Sequence, residues 1–235
     1  MNTLSKFLTA AAVAVSTLSM ATVAQAENKP VGITGSLSSV TVMHEGASVE
    51  LAREQNNAST ITQDFALTSR PCPPFCIQPM VFAPGVDTLG ELEVIDHLVR
   101  MQAGENILVI DSRTPNWVAK GTIPGAVNIS WVGLTPAKGA STEGIMDIML
   151  NQMDVALIGD VDEFEVDEAI VNGNVEDVFD YSNAKTLVLF CNGMWCGQSP
   201  ASMKTLLSFG YPANKIKWFR GGMQTWEVLG LTTVK

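Results

Sequence analysis

Four cysteines stand in two close pairs: Cys72 and Cys76 in CPPFC, and Cys191 and Cys196 in CNGMWC. Sulfur is a strong nucleophile only as thiolate, so the surroundings of each thiol decide its chemistry. The stretch TLVLFCNGMWCGQSP (186–200) runs five mostly apolar residues into Cys191. A short loop with Asn192 and Gly193 follows, and a helical pattern starts near Gly197. A buried strand feeding a helix through such a loop sets the loop at the carboxyl edge of a parallel sheet, where α/β ligand sites form. The helix aims unsatisfied amides and its positive dipole end back at the loop. A thiol held there falls from a pKa of about 8.5 into a range of roughly 3.5–7.5. Cys191 is thus placed as a nucleophile. A lone strand-end cysteine is more often inert core, but the glycine-containing loop after it shifts the balance towards chemistry.

Cys196 sits where the loop meets the helix. It reads either as a small buried residue or as a resolving thiol able to attack a persulfide or sulfenate on Cys191, closing a disulfide between the two. Cys72 and Cys76, stiffened by Pro73 and Pro74, admit three readings. A local disulfide ranks first in an oxidising compartment. Exchange of electrons or sulfur with the Cys191 loop follows, if the connector folds over it. A four-cysteine metal site ranks last, because the spacings are unlike those of zinc sites and a nucleophile would be sequestered. Loops this short give a disulfide little chain-entropy leverage, which favours redox or sulfur chemistry over stapling.

The elements that must position these residues follow from the pattern. VTVMHEG, SVELARE and STITQDFAL, within residues 31–66, are alternating or β-branched runs and suggest a small antiparallel unit. The proline-rich connector that follows forbids helix interiors and central strands alike. DTLGELEVIDHLVRMQAGEN then predicts a helix with an acidic first turn, Leu89, Leu92, Ile95, Leu98 and Val99 on one face, and a stop at Gly104. Continuous apolar runs at 107–111, 126–129, 186–190 and 215–219, with helical patterns between several of them, predict a parallel sheet flanked by helices. Between Gly139 and Ala184 the chain is acidic and has no Lys or Arg. Without the spaced oxygen ligands of a calcium loop, this stretch reads as solvated surface.

The successive motifs DSR (111–113), GTIPGAVN (121–128), LFCNGMWCGQS (189–199) and RGGMQTW (220–226) resemble, in order, those of rhodanese-like sulfurtransferase domains. The resemblance covers roughly residues 87–235 and leaves 27–86 as an N-terminal β-rich extension and connector. It implies an α/β rhodanese-like parallel sheet in which Cys191 carries sulfur as a persulfide. Asn192, Gly193, Met194, Trp195 and Gly197 would then form the substrate-binding loop, with no cofactor and no metal required. Many members of the family end this loop in Arg, whereas this chain has Cys196. Without that cation the grip on an anionic donor such as thiosulfate weakens, since charge-assisted contacts are the strong ones. Arg113 is expected to pair with a carboxylate, Trp226 to pack in the core, and Arg220 to reach either the site edge or the surface. His44 and His97 lie far in sequence from the cysteines.

Residues 1–26 read as a secretory signal: Lys6 in the basic region, an apolar stretch, and Ala24-Gln25-Ala26 fitting the cleavage rule. A periplasmic protein with no membrane anchor after cleavage is expected. The formal charge of −10 argues against nucleic acid as a partner. The partners expected are a small sulfur-containing donor and a protein thiol acceptor. Two other readings use the same residues: a thiol–disulfide redox protein working through Cys191 and Cys196, or a binding module without turnover.

Overall fold

The computed structural model describes residues 29–235, so the expected signal segment lies outside the described residues. In chain order the strands are β1 (Ser39–His44), β2 (Ala47–Ala52), β3 (Asp87–Thr88), β4 (Ile107–Asp111), β5 (Val127–Asn128), β6 (Ala156–Leu157), β7 (Phe179–Asp180), β8 (Thr186–Phe190) and β9 (Ile216–Phe219). The helices are α1 (Gln63–Ala66), α2 (Glu91–Gln102), α3 (Pro115–Val118), α4 (Thr142–Gln152), α5 (Glu163–Asn172), α6 (Gln198–Ser208) and α7 (Gly222–Val228).

Five strands form one parallel sheet in the order β3-β9-β8-β4-β5. Helices cover both faces, which is why its strands are apolar throughout rather than alternating. The two-residue period still divides β8 between two cores. Leu187 and Leu189 join Met146, Met149, Met203 and Leu206, from α4 and α6, on one face. Val188 and Phe190 join Val94, Leu98, Met223 and Trp226, from α2 and α7, on the other. Cys191 and Cys196 belong to this second cluster.

The β1–β2 hairpin turns through Glu45 and Gly46, both with positive φ (49° and 81°), as a two-residue primed turn requires. Its buried side chains Val42 and Leu51 extend the second core. The third run expected in this unit, STITQDFAL, forms no strand. Thr62 precedes the single turn α1 without a side-chain cap, and Phe65 is buried beside Trp117 with ring centroids 6.0 Å apart. Tertiary packing of one aromatic outweighs the β-propensity of its neighbours.

Two further expectations are corrected after the connector. Asp87 and Thr88 are not the first turn of a helix; they form the edge strand β3, paired to Lys217 and Trp218. The helix begins at Glu91 and buries Val94, Ile95 and Leu98, while Leu92 (51 % exposed) and Val99 (41 %) face outwards. The late start sets the buried face on a Val94–Ile95–Leu98 stripe. The acidic region contains α4 and α5, the latter capped by the Asp162 carboxylate accepting from the Phe164 and Glu165 amides. Among the described residues, no helix is long and apolar enough to cross a membrane.

Candidate active site

The carboxyl ends of β4 and β8 lie side by side, with Asp111 opposite Phe190. Asp111 and Arg113 form a buried ion pair: Arg113 NH2 and Nε donate to the Asp111 carboxylate at 2.6 and 2.9–3.1 Å. Thr122 Oγ1 donates to the same carboxylate (2.7 Å), and Arg113 NH2 donates to the Gly121 carbonyl (2.6 Å). The Ser112 amide donates to the Phe190 carbonyl at 2.9 Å. This cluster fixes the strand end next to Cys191. Arg113 is thus the structural ion-pair partner expected from sequence.

Cys191 follows β8 and is 2 % exposed; Cys196 is 4 % exposed. Both are free thiols. The loop between them is tied from two sides. The Cys196 amide donates to the Gly193 carbonyl (2.8 Å), and the Met223 and Gln224 amides at the start of α7 donate to the Cys191 and Asn192 carbonyls (3.0 and 2.9 Å). Gly222, at φ 55°, permits this approach: a Cβ there would overlap the Cys191 carbonyl. Trp195 Nε1 donates to Gln224 Oε1 at 2.7 Å.

Behind Cys191 stands α6, whose first turn supplies Ser199. Its Oγ donates to Cys191 Sγ at 3.2 Å and accepts from Trp218 Nε1 at 3.2 Å. An indole N–H can only donate, so Trp218 occupies a lone pair of the hydroxyl and leaves its proton for the sulfur. Burial pushes the Cys191 thiol up. Hydrogen bonds from the Cys196 thiol, the Ser199 hydroxyl, and the Ser199 and Gly193 amides more than offset this, lowering its pKa to about 7. The Cys196 thiol moves the other way: burial, then the hydrogen bond it gives to Cys191, raise it well above the ordinary range. The first proton lost by the pair therefore comes from Cys191, with Cys196 as the proton-bearing neighbour. Asn192 Nδ2 lies 4.0 Å from Cys196 Sγ, and its buried Oδ1 has no partner among the described residues.

The connector closes over this loop. Cys72 and Cys76 form a disulfide with Cα atoms 4.6 Å apart, the first of the three sequence readings. Gln78 N donates to the Met194 carbonyl (2.8 Å). Phe75 meets Trp195 edge-on with centroids 5.6 Å apart, and the Arg70 guanidinium lies 3.9 Å from the same indole. Arg220 is half-buried and bonds to no sulfur; it donates to the Gln78 carbonyl (2.8 and 3.1 Å) and holds the connector down.

All the expected loop residues are thus in one place: Cys191, Asn192, Gly193, Met194, Trp195, Cys196 and Gly197. His44 accepts from the Gly125 amide, and His97 Nδ1 contacts the Glu93 carbonyl, so neither histidine faces the thiols. Trp226 is fully buried. Sequence reasoning missed Ser199, Trp218, Gly222, and the cap of Arg70, Phe75 and Gln78. A hydroxyl in the first turn of a helix after a cysteine loop was the available signal for Ser199. Among the described residues, no group of His, Cys, Asp or Glu could hold a metal ion.

A parallel α/β sheet with a thiolate cradled at its carboxyl edge defines a class of cysteine-loop proteins. The rhodanese-like domain model matches residues 94–228, more than half of the chain. The chain belongs to the rhodanese-like family. Among solved structures, a human single-domain sulfurtransferase, TSTD1, is 16 % identical. The match covers 62 % of this chain and 96 % of that one, with a TM-score of 0.33. A search of curated proteins gave no significant match.

Proposed function

We propose that this chain is an exported sulfurtransferase that carries sulfur as a persulfide on Cys191. The observation behind this reading is the buried Cys191 sulfur at the end of β8, with the Ser199 hydroxyl from the first turn of α6 donating to it at 3.2 Å. The Cys191 thiolate attacks the outer sulfur of a sulfane donor such as thiosulfate. A Cys191 S–S bond forms, the donor's inner S–S bond breaks, and sulfite leaves with the electron pair. An acceptor nucleophile then attacks the terminal sulfur and releases Cys191 as thiolate, the form its surroundings favour. The same donors that hold the thiolate hold the persulfide anion. The carrier domain is 87–235, and the leader in residues 1–26 directs it to the periplasm. A small sulfane donor and a protein thiol acceptor are the proposed partners.

One observation favours a second reading. Cys191 and Cys196 are both free and buried in one loop, with Cys191 Sγ 3.5 Å from the Cys196 carbonyl, which suits disulfide formation between them and hence thiol–disulfide redox work. Steady-state transfer separates the two: formation of thiocyanate from thiosulfate and cyanide, abolished by Cys191→Ser, supports the sulfurtransferase. No thiocyanate with thiosulfate or with a persulfide donor, alongside dithiol oxidation, would favour the redox protein.

A further inference from the structure

The two cysteine pairs sit in opposite environments, one on top of the other. Cys191 and Cys196 are buried, and both are free. In the disulfide above them Cys72 is exposed and Cys76 half-buried. Cys76 lies between two residues that touch the loop: Phe75 packs on Trp195, and Gln78 bonds to the Met194 carbonyl. Gln78 Nε2 donates to the Cys76 carbonyl at 3.0 Å and is 3.8 Å from where a Gly197 Cβ would lie, one residue beyond Cys196. Arg220 fastens this segment to the sheet edge. The connector that carries the exposed disulfide is thus held on the loop that ends in Cys196. Exposed Ile77, Met80 and Val81 flank it, an apolar apron of the kind a protein partner covers.

We propose that Cys72 and Cys76 form a redox port, through which an external protein dithiol reduces a disulfide between Cys191 and Cys196. The proposal rests on the sulfur-carrier reading, which creates the need. If Cys196 attacks the inner sulfur of a Cys191 persulfide, a Cys191–Cys196 disulfide forms and hydrosulfide leaves. Carrying on requires two electrons: a persulfide extends one sulfur beyond Cys191 towards an acceptor, whereas the disulfide keeps both of its sulfurs buried, away from a macromolecular reductant. The external dithiol instead reduces Cys72–Cys76 and leaves as its own disulfide. The Cys76 thiolate then attacks the Cys196 sulfur. The Cys191–Cys196 bond breaks, Cys191 departs as thiolate, and a Cys76–Cys196 mixed disulfide remains. The Cys72 thiolate attacks the Cys76 sulfur, restores Cys72–Cys76 and expels Cys196, which takes up a proton. Of the two hydrogens carried by Cys72 and Cys76, one ends on Cys196 and one leaves as a proton. The direction fits the leaving groups, since the thiol of lower pKa departs faster, and that thiol is Cys191.

The test uses the full mature chain. In Cys72→Ala, Cys76 has no partner to complete the exchange. After oxidation of the buried pair, non-reducing peptide mapping is expected to find Cys76 joined to Cys196, with Cys191 free to alkylation. A Cys191–Cys196 disulfide persisting beside a free Cys76 would overturn the proposal, as would a buried pair that mild oxidants never close. The second measurement follows reopening of the buried disulfide by reduced thioredoxin, used as the protein dithiol. The wild type should reopen and Cys72→Ala/Cys76→Ala should not, while dithiothreitol reopens both, and a thermal unfolding profile like the wild type's shows the variant to be folded. Equal reopening by thioredoxin in both proteins would also overturn it. Sulfur uptake by Cys191 from thiosulfate is read separately by mass. Its absence refutes the carrier reading, while the two exchange measurements still decide the port.

Discussion

The ends of β4 and β8 are adjacent and both buried, yet built for opposite purposes. At β4, Asp111 and Arg113 neutralise each other, and Thr122 and the Gly121 carbonyl take up further hydrogen-bonding capacity. At β8 the Ser199 hydroxyl, from a helix turn, donates to one sulfur, and the strand tryptophan Trp218 donates in turn to that hydroxyl. A closed ion pair fixes geometry and has no charge to offer. A lone thiolate beside a donor has a charge and lone pairs free to attack. The comparison teaches that buried polarity alone does not mark a reactive centre; what counts is whether the donors and acceptors are already matched among themselves.

Four substitutions break or sharpen this contrast. Cys191→Ser has the largest expected effect on chemistry: all sulfur uptake is lost, while the thermal unfolding profile stays close to wild type. Asp111→Ala should do the reverse, leaving the Arg113 charge buried and unpaired, at a cost of about 3–5 kcal/mol in urea unfolding. Molecules that remain folded should still take up sulfur. Ser199→Ala removes a donor to the thiolate, and a hydrogen bond to a charged group contributes about 1.5–3 kcal/mol, or roughly 1–2 pKa units. The alkylation rate of Cys191 follows the thiolate, so it rises with pH and is half-maximal near about 7 in the wild type. In Ser199→Ala that midpoint should move to higher pH. Trp218→Phe should shift it the same way by less, because the hydroxyl keeps its proton but loses the group that orients it. An unmoved midpoint in both variants would contradict the role given to the Trp218–Ser199–Cys191 chain.

The parts of this arrangement that depend on local pattern were readable from the sequence. The apolar runs of β4 and β8 and the helix after Gly197 required only periodicity and the position of glycine. The Cys191 loop followed from them, and the four motifs resembled rhodanese-like domains in order. What depends on distant partners was not readable. Asp87 and Thr88 are polar and form a strand only because Trp218 and Lys217 offer an edge. Leu92 and Val99 fit a helical face as well as Val94 does, and only the docking angle of α2 leaves them outside. Ser199 resembles any hydroxyl in a first helical turn until Trp218, on another strand, turns its proton to the sulfur. The connector showed its prolines and cysteines, but not that Phe75 and Gln78 come down on the loop.

The most direct test of the central claim is the intact mass of the reduced mature protein before and after thiosulfate, with peptide mapping. A gain of one sulfur atom on Cys191, removed by cyanide, is the predicted result. No sulfur on Cys191 with thiosulfate or a persulfide donor, or a gain that survives Cys191→Ser, would contradict it.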